Sequence, residues 1–350
     1  MVHKVITYKV KLNFMEIPEG LGGKIFKGCG CLSIGFVLMF LLVIVIGIYY
    51  DDEETDEKKE EQKTEQVEKK DSVVVNEPLQ GDPYKELDEL IGLDQVKEEV
   101  RSLANFVKIQ KQREAKGLKT PKMSFHLVFT GSPGTGKTTV ARIVARIYKD
   151  LGVLKKGHMV ETDRSGLVAN YVGQTATKTN EIVDSALNGV LFIDEAYALV
   201  PENNKSNDYG QEAISTLLKR MEDDRDRLVV IVAGYTNEMK RFIDSNPGLQ
   251  SRFNRYINFP DYSSGELCEI FNMYVKKNQY SLTPDAERYL KTRLDSAVRH
   301  KDRNFGNARY ARNIFEKSIQ RQANRLSKEK NPTAKQLSEL TASDIREAFK

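Results

Sequence analysis

The sequence predicts an α/β fold in which a parallel-sheet domain carries a phosphate-binding loop and a small all-α domain follows it, with one membrane-spanning helix ahead of both. Three observations carry this prediction. The run Gly131-Ser132-Pro133-Gly134-Thr135-Gly136-Lys137-Thr138 has the form G-x-x-x-x-G-K-[ST] and stands between a short apolar run and a stretch of helical spacing. From 83 to 260, short apolar runs alternate with amphipathic stretches, the pattern of parallel strands covered on both faces by helices. After Pro260 the strand pattern stops, and apolar residues recur only at three- and four-residue intervals.

Along the chain, residues 1–28 form an N-terminal tail. Residues 29–50 are uncharged, rich in Leu, Ile, Val and Phe, and end in Tyr49-Tyr50. These 22 residues suffice for one transmembrane helix, which makes the lipid bilayer an expected partner. A cleaved signal peptide fits less well, since no small-x-small site precedes Asp51. Residues 51–82 lack apolar periodicity and read as an acidic, solvated tether. Within it, 51–70 holds ten carboxylates against five lysines, so the net charge of +4 leaves the rest of the chain distinctly basic. That excess is spread through helices without interleaved aromatics and reads as a solvated surface rather than a nucleic-acid face. Of the three cysteines, Cys29 and Cys31 stand too close for a disulfide or zinc framework and Cys268 is alone. The four histidines are isolated, so no metal cage is expected.

The domain predicted over 83–260 opens with a helix that Asp94 can cap and whose buried face is Val96, Val100, Leu103 and Val107. The apolar run at 125–130 is the strand before the glycine-rich loop, and Val140, Ile143, Val144 and Ile147 mark the helix after it. Glycines let such a loop curl so that its N–H groups and the helix N-terminus point at phosphates, while Lys137 reaches the β/γ oxygens and Thr138 ligates Mg²⁺. Gly131, Pro133, Gly134, Thr135, Gly136, Lys137, Thr138 and Thr139 are the expected nucleotide contacts, with ATP and Mg²⁺ as cofactors. A strand near 158–161 and a helix near 177–187 precede the apolar run Val190-Leu191-Phe192-Ile193, which ends in Asp194-Glu195. A carboxylate pair at the C-terminal end of a buried strand lies where open α/β sheets bind ligands. Asp194 suits the Mg²⁺ shell, and Glu195 suits orienting and deprotonating an attacking water. Chemistry on ATP must face the cytosol. Lysines flank 29–50 almost evenly, so this requirement decides the orientation, with 1–28 outside and 51–350 inside. Over 261–350, the sets Leu267/Ile270/Tyr274, Ala286/Tyr289/Leu290 and Ala311/Ile314/Phe315/Ile319 give the faces of a small helical domain.

The segments 131–139, 167–175, 189–197, 208–221, 229–235 and 246–262 together resemble the AAA+ ATPases, and within them the group of the stage V sporulation protein K and the red-type rubisco activase. The resemblance begins near Leu90, so the apolar segment and the tether fall outside it. It implies roles that spacing does not show. A polar first sensor is expected just after the strand at 228–233, and the ending Gly234-Tyr235-Thr236-Asn237 leaves it open between Thr236 and Asn237. Arg252, in Ser251-Arg252-Phe253, corresponds to an arginine finger that enters the neighbouring subunit's site, with Arg255 as the substitute. Arg309, in Gly306-Asn307-Ala308-Arg309, corresponds to the second sensor on the γ-phosphate, with Arg312 one turn on as a competitor. Ile91 and Gly92 fall in the adenine-side segment, and 261–350 becomes the lid.

Tyr171, Val172 and Gly173 fall in the loop that lines the family's central pore, where an aromatic beside an aliphatic grips an extended chain regardless of its sequence. The expected function is a membrane-anchored ATPase that forms a homo-oligomeric ring, a hexamer, and remodels or threads a protein client. Two other classes compete. A nucleic-acid motor or loader predicts a basic stripe, for which only Lys178 and the Lys/Arg-rich helix at 321–330 are candidates. An ATP-binding assembly scaffold is opposed by the intact set Lys137, Thr138, Asp194, Glu195 and Arg252.

Overall fold

The computed structural model describes residues 73–77, 81–121, 124–169, 171, 173–200 and 209–350. The predicted tail, the apolar span 29–50 and most of the tether lie outside the described residues. Among those described, no helix is long and apolar enough to cross a membrane.

In chain order, β1 (Val73–Asn76), α1 (Pro83–Glu89), α2 (Asp94–Ala115), β2 (Leu127–Gly131), α3 (Lys137–Asp150), β3 (Met159–Thr162), α4 (Arg164–Leu167) and α5 (Thr175–Ser185) come first. Then follow β4 (Gly189–Ile193), a 3-10 turn at Ala196–Leu199, α6 (Gly210–Asp223), β5 (Leu228–Gly234), α7 (Thr236–Asp244), α8 (Pro247–Arg252) and β6 (Tyr256–Phe259). The helical part is α9 (Ser264–Lys277), β7 (Ser281–Leu282), α10 (Pro284–Arg299), α11 (Asn307–Leu326), α12 (Ala334–Ser338), β8 (Glu339–Leu340) and α13 (Ala342–Ala348).

The six-stranded sheet runs β1-β3-β4-β5-β2-β6 and is parallel except for β1, which pairs antiparallel with β3. Every residue of β2, β4 and β5 is buried, because successive side chains enter cores on opposite faces. Leu127, Phe129, Phe192 and Ile231 pack with the apolar faces of α2 and α3. Val128, Leu191, Val230 and Val232 pack with those of α5 and α6. These strands read as continuous apolar runs for that reason. The edge strand β6 alternates instead, with Ile257 and Phe259 inside and Tyr256 and Asn258 outside.

Three local features differ from the sequence reading. Asp94 is the first helical residue of α2 rather than its cap, which is Leu93. Gly92 and Leu93 take left-handed φ values of 59° and 60°, so a double turn aims the chain into the helix, and Asp94 faces the positive helix end from the first turn. A side chain at position 92 would strain that turn and push aside Glu266, whose Oε1 stands 1.9 Å from where a Cβ would be. Within the segment read as tether, Val73–Asn76 forms β1, where β-branched side chains find the free edge of β3. The pair β7–β8 is two residues long, too short to leave a periodicity. The helical part is set by its helix starts, with capping boxes at Ser263/Glu266, Thr333/Gln336 and Thr341/Asp344. Its core centres on Phe315, whose ring meets Phe271, Tyr274 and Tyr280 at 5.7, 5.9 and 6.1 Å.

His126 enters the sheet core just before β2. Its Nδ1 accepts from Val230 N at 2.9 Å, and its ring packs on Phe253 at 6.0 Å. Burial pushes the imidazole down from the ordinary 6.5 to about 4, with the nearby Arg252 charge acting in the same direction and a Met221 backbone bond opposing it. The unfolded chain therefore takes up this proton first. Stability is complete above pH 6.5 and is lost as pH falls from there toward 4, by about 3 kcal/mol from this group. His126→Asn keeps an acceptor for Val230 N and removes the titration, so its urea midpoint is expected to fall less than that of the wild type between pH 7 and pH 4.5. Equal losses would mean that His126 is not the group responsible.

Candidate active site

The strand order fixes where ligand chemistry can occur. β2 lies between β5 and β6, so the connections to either side diverge and a crevice opens at the C-terminal strand ends. At that crevice β2 ends in Gly131, β4 runs into Asp194-Glu195, and β5 ends in Gly234.

The loop between β2 and α3 curls through three positive-φ glycines, Gly131, Gly134 and Gly136, at 145°, 71° and 96°. Thr135 is fully buried and its Oγ1 donates to Ser132 O at 2.8 Å, so it braces the loop from beneath. Lys137 Nζ donates to Gly131 O at 2.9 Å and Ser132 O at 2.8 Å, which aims its stem along the loop. Burial lowers the pKa of this ammonium, Asp194 and Glu195 oppose the shift, and Arg309 reinforces it. Gly131, Pro133, Gly134, Gly136, Thr138 and Thr139 line one cleft with Lys137, Asp194, Glu195 and Arg309. Asp194 N donates to Thr162 O at 2.8 Å, continuing the β3–β4 ladder and fixing the carboxylate at the strand end. Glu195 then turns into a left-handed conformation, φ 49°, which takes it from the buried strand to the exposed mouth of the cleft. Tyr197 stands close to the acid pair, and burial followed by the neighbouring Glu195 charge pushes its phenol up to about 12.

Other expected residues stand elsewhere. Thr236 and Asn237 start α7 and line a neighbouring hollow with Glu238 and Asn258, whereas Tyr235 faces the cleft itself. Arg252 closes α8 away from this cleft, with Nη2 3.6 Å from Glu222 Oε2 and Nη1 donating to Gly248 O at 3.4 Å. Arg255 lies over the Phe106 ring at 4.9 Å, which occupies the proposed substitute. Arg312 also lines the cleft, but its Nε donates to Glu316 at 2.7 Å. Ile91 and Gly92 sit at the start of the α/β part, Ile91 packed against its core and Gly92 beside the α9 capping box. Tyr171 is 63% exposed on the connection from α4 to α5, with Gly173 at φ 79° beside it; Val172 lies outside the described residues. In the sequence Tyr235 is passed over within the sensor segment, Tyr274 is read only as part of a helix face, and Tyr197 is not singled out. For Tyr197, only its nearness to the acid pair, two residues on from Glu195, could have flagged it.

A family description of the ATPase family associated with various cellular activities (AAA) matches residues 127–261, and one of the AAA lid domain matches 263–350. The stage V sporulation protein K of Bacillus subtilis (strain 168) is 43% identical over 69% of this chain and 75% of its own length. The chain belongs to the AAA ATPase family. Another relative of this AAA ATPase is the chloroplastic ribulose bisphosphate carboxylase/oxygenase activase of Cyanidioschyzon merolae, 46% identical over 68% of this chain and 80% of the relative. Against the ESX-3 secretion system protein EccA3 of Mycobacterium leprae, also 43% identical, the AAA ATPase spans 43% of the relative's length. The solved FIGL-1 AAA domain in complex with ADP shares its fold, with a TM-score of 0.55 and 17% identity over 80% of this chain and 86% of that one. The AAA ATPase hydrolyses ATP and uses Mg²⁺. Its cleft suits both, since the curled loop leaves peptide N–H groups for phosphates and Thr138 with Asp194 offers the hard oxygen donors that Mg²⁺ takes alongside phosphate oxygens.

Proposed function

We propose that this AAA ATPase works as a membrane-anchored ring, a hexamer, in which hydrolysis moves an aromatic loop that pulls on a protein client. The observation that carries the proposal is the exposed Tyr171 ring beside the Gly173 hinge. A large aromatic left mostly in solvent buries little in its own subunit, and its apolar face is available to an extended chain of any sequence. Arg252 supports assembly, because it stands apart from its own cleft and acts only if a neighbour's cleft comes to it. In the cleft, Lys137 and the loop hold the β- and γ-phosphates, Arg309 faces the γ-phosphate, and Ile91 and Gly92 hold the base. Glu195 orients a water and takes its proton as the water attacks. Mg²⁺, held by Thr138 and Asp194, supplies neutralisation of the phosphate charge. Thr236 and Asn237 remain the two candidates for the first sensor.

The test uses Tyr171 variants. Tyr171→Ala is expected to leave basal ATP turnover and the melting temperature intact while abolishing client remodelling and stimulation by the client, and Tyr171→Phe to keep both. A Tyr171→Ala protein that still remodels its client would end the threading reading. A nucleic-acid role fits the structure poorly, since in the basic stretch 321–330 Arg325 is engaged bidentately by Asp344 at 2.9 and 2.8 Å. The anchor is assigned to 29–50, with the ATPase on the cytoplasmic side. With tags at both ends, protease treatment of intact cells should spare the C-terminal tag, and its digestion would reverse the orientation.

A further inference from the structure

We propose that Asn307 is a positioning residue that carries the state of the phosphate loop into the lid and thereby sets Arg309, two residues beyond it. The proposal rests on the reading of the cleft as the nucleotide site.

Asn307 is fully buried, and its backbone sits at φ 47°, a left-handed conformation that a non-glycine residue adopts at a cost. Its side chain is held from every side. Oδ1 accepts from Tyr262 N at 3.0 Å, while Nδ2 donates to Asp261 Oδ1 at 3.0 Å and to Pro133 O and Phe305 O at 3.2 Å each. The next residue adds a backbone bond, Ala308 N to Gly134 O at 3.1 Å. Pro133 and Gly134 belong to the phosphate loop, Asp261 and Tyr262 to the crossing between sheet and lid, and Phe305 to the lid. Asp261 is itself anchored to the lid by Lys301 Nζ at 2.5 Å. Loop and lid also meet too closely for any side chain at position 134, where a Cβ would lie 2.1 Å from Gly306 O.

The coupling follows from the planarity of the peptide bond. The carbonyls of Pro133 and Gly134 are the far ends of the peptide units whose N–H groups belong to Gly134 and Thr135. A phosphate that takes those N–H groups fixes the carbonyls that Asn307 and Ala308 engage. A lid that holds the carbonyls likewise fixes the N–H groups. The amide nitrogen of Asn307 has two hydrogens for three acceptors, so one bond is always shared. A small rotation of α11 can thus release Pro133 while the bonds to Asp261 and Phe305 persist, which gives the lid two states that differ in their grip on the loop.

ADP is the probe, because it lacks the γ-phosphate and any contact between that group and Arg309. Amide hydrogen exchange over 305–312 in the wild type is expected to slow about tenfold or more when ADP saturates the site. Asn307→Gly accepts the left-handed backbone and lacks the amide. It should bind ADP, yet show less than about a twofold slowing. Asn307→Asp, which tolerates the same backbone and has no N–H to donate, gives the same reading if the glycine variant does not fold. Slowing retained in either folded variant overturns the proposal, as does its absence in the ADP-bound wild type. A wild type that fails to bind ADP would sink the reading of the cleft, and this proposal with it.

Discussion

Glu195→Gln is expected to bind ATP as the wild type does and to hydrolyse it about 10²- to 10⁴-fold more slowly, the range for loss of a positioned general base. The substitution keeps the size and shape of the side chain at this left-handed position. It removes only the ability to take a proton from water. Lys137→Ala should instead lose nucleotide binding, because the ammonium lies along the loop and its loss leaves the phosphates without their main cation. ATP affinity and turnover measured for both variants decide the matter. Near wild-type hydrolysis by Glu195→Gln would remove that residue from the mechanism, and the binding-competent, inactive variant is also the trap with which to capture a client.

Arg252→Ala should cost about 10³- to 10⁵-fold in turnover, the range for removal of an arginine finger, with little change in nucleotide affinity. The proposed ring makes the stronger demand that the loss be repairable by a neighbour. Arg252 does not line the cleft of its own subunit, and its guanidinium is loosely placed by Glu222 and the Gly248 carbonyl, with Nε buried and unpartnered. In the proposed ring, subunits carrying Arg252→Ala and subunits carrying Glu195→Gln each retain one intact half of a shared site. Mixing them should restore part of the activity at interfaces that combine the two intact halves. If mixed rings of confirmed mass show no recovery at any ratio, Arg252 acts within its own subunit or not at all.

The phosphate loop and the acid pair were legible because their chemistry needs fixed residue types at local spacing. Glycines supply positive φ, and a buried strand must end before a carboxylate can reach solvent. The strands of the sheet centre were legible for the same reason, being buried on both faces. What could not be read depends on contacts far along the chain. Asn307 meets Pro133 across 174 residues, and no local pattern distinguishes it from any asparagine near a helix start. At the start of α2, propensity favours Asp94 as the cap, yet the approach of the α9 capping box to Gly92 selects a double left-handed turn instead. Tyr235 rather than its polar neighbours faces the cleft because β5 runs one residue further than the apolar run suggested.

The antiparallel strand β1 has a mechanical consequence. Its register pairs Val73 with Thr162 and Asn76 with Met159, so the chain enters the sheet opposite the end of β3 that passes into α4 and on to Tyr171. Just after β1, Arg146 on α3 fastens the chain again through Gly81 O at 2.6 Å and an ion pair with Glu86. Tension arriving from the N-terminal side is therefore borne first by the Val73–Thr162 end of a four-residue ladder, at the root of the aromatic loop, before it reaches the helix behind the phosphate loop. If the chain is anchored and pulls as proposed, a recoil from the load would return to the same strand end from which the pull is delivered.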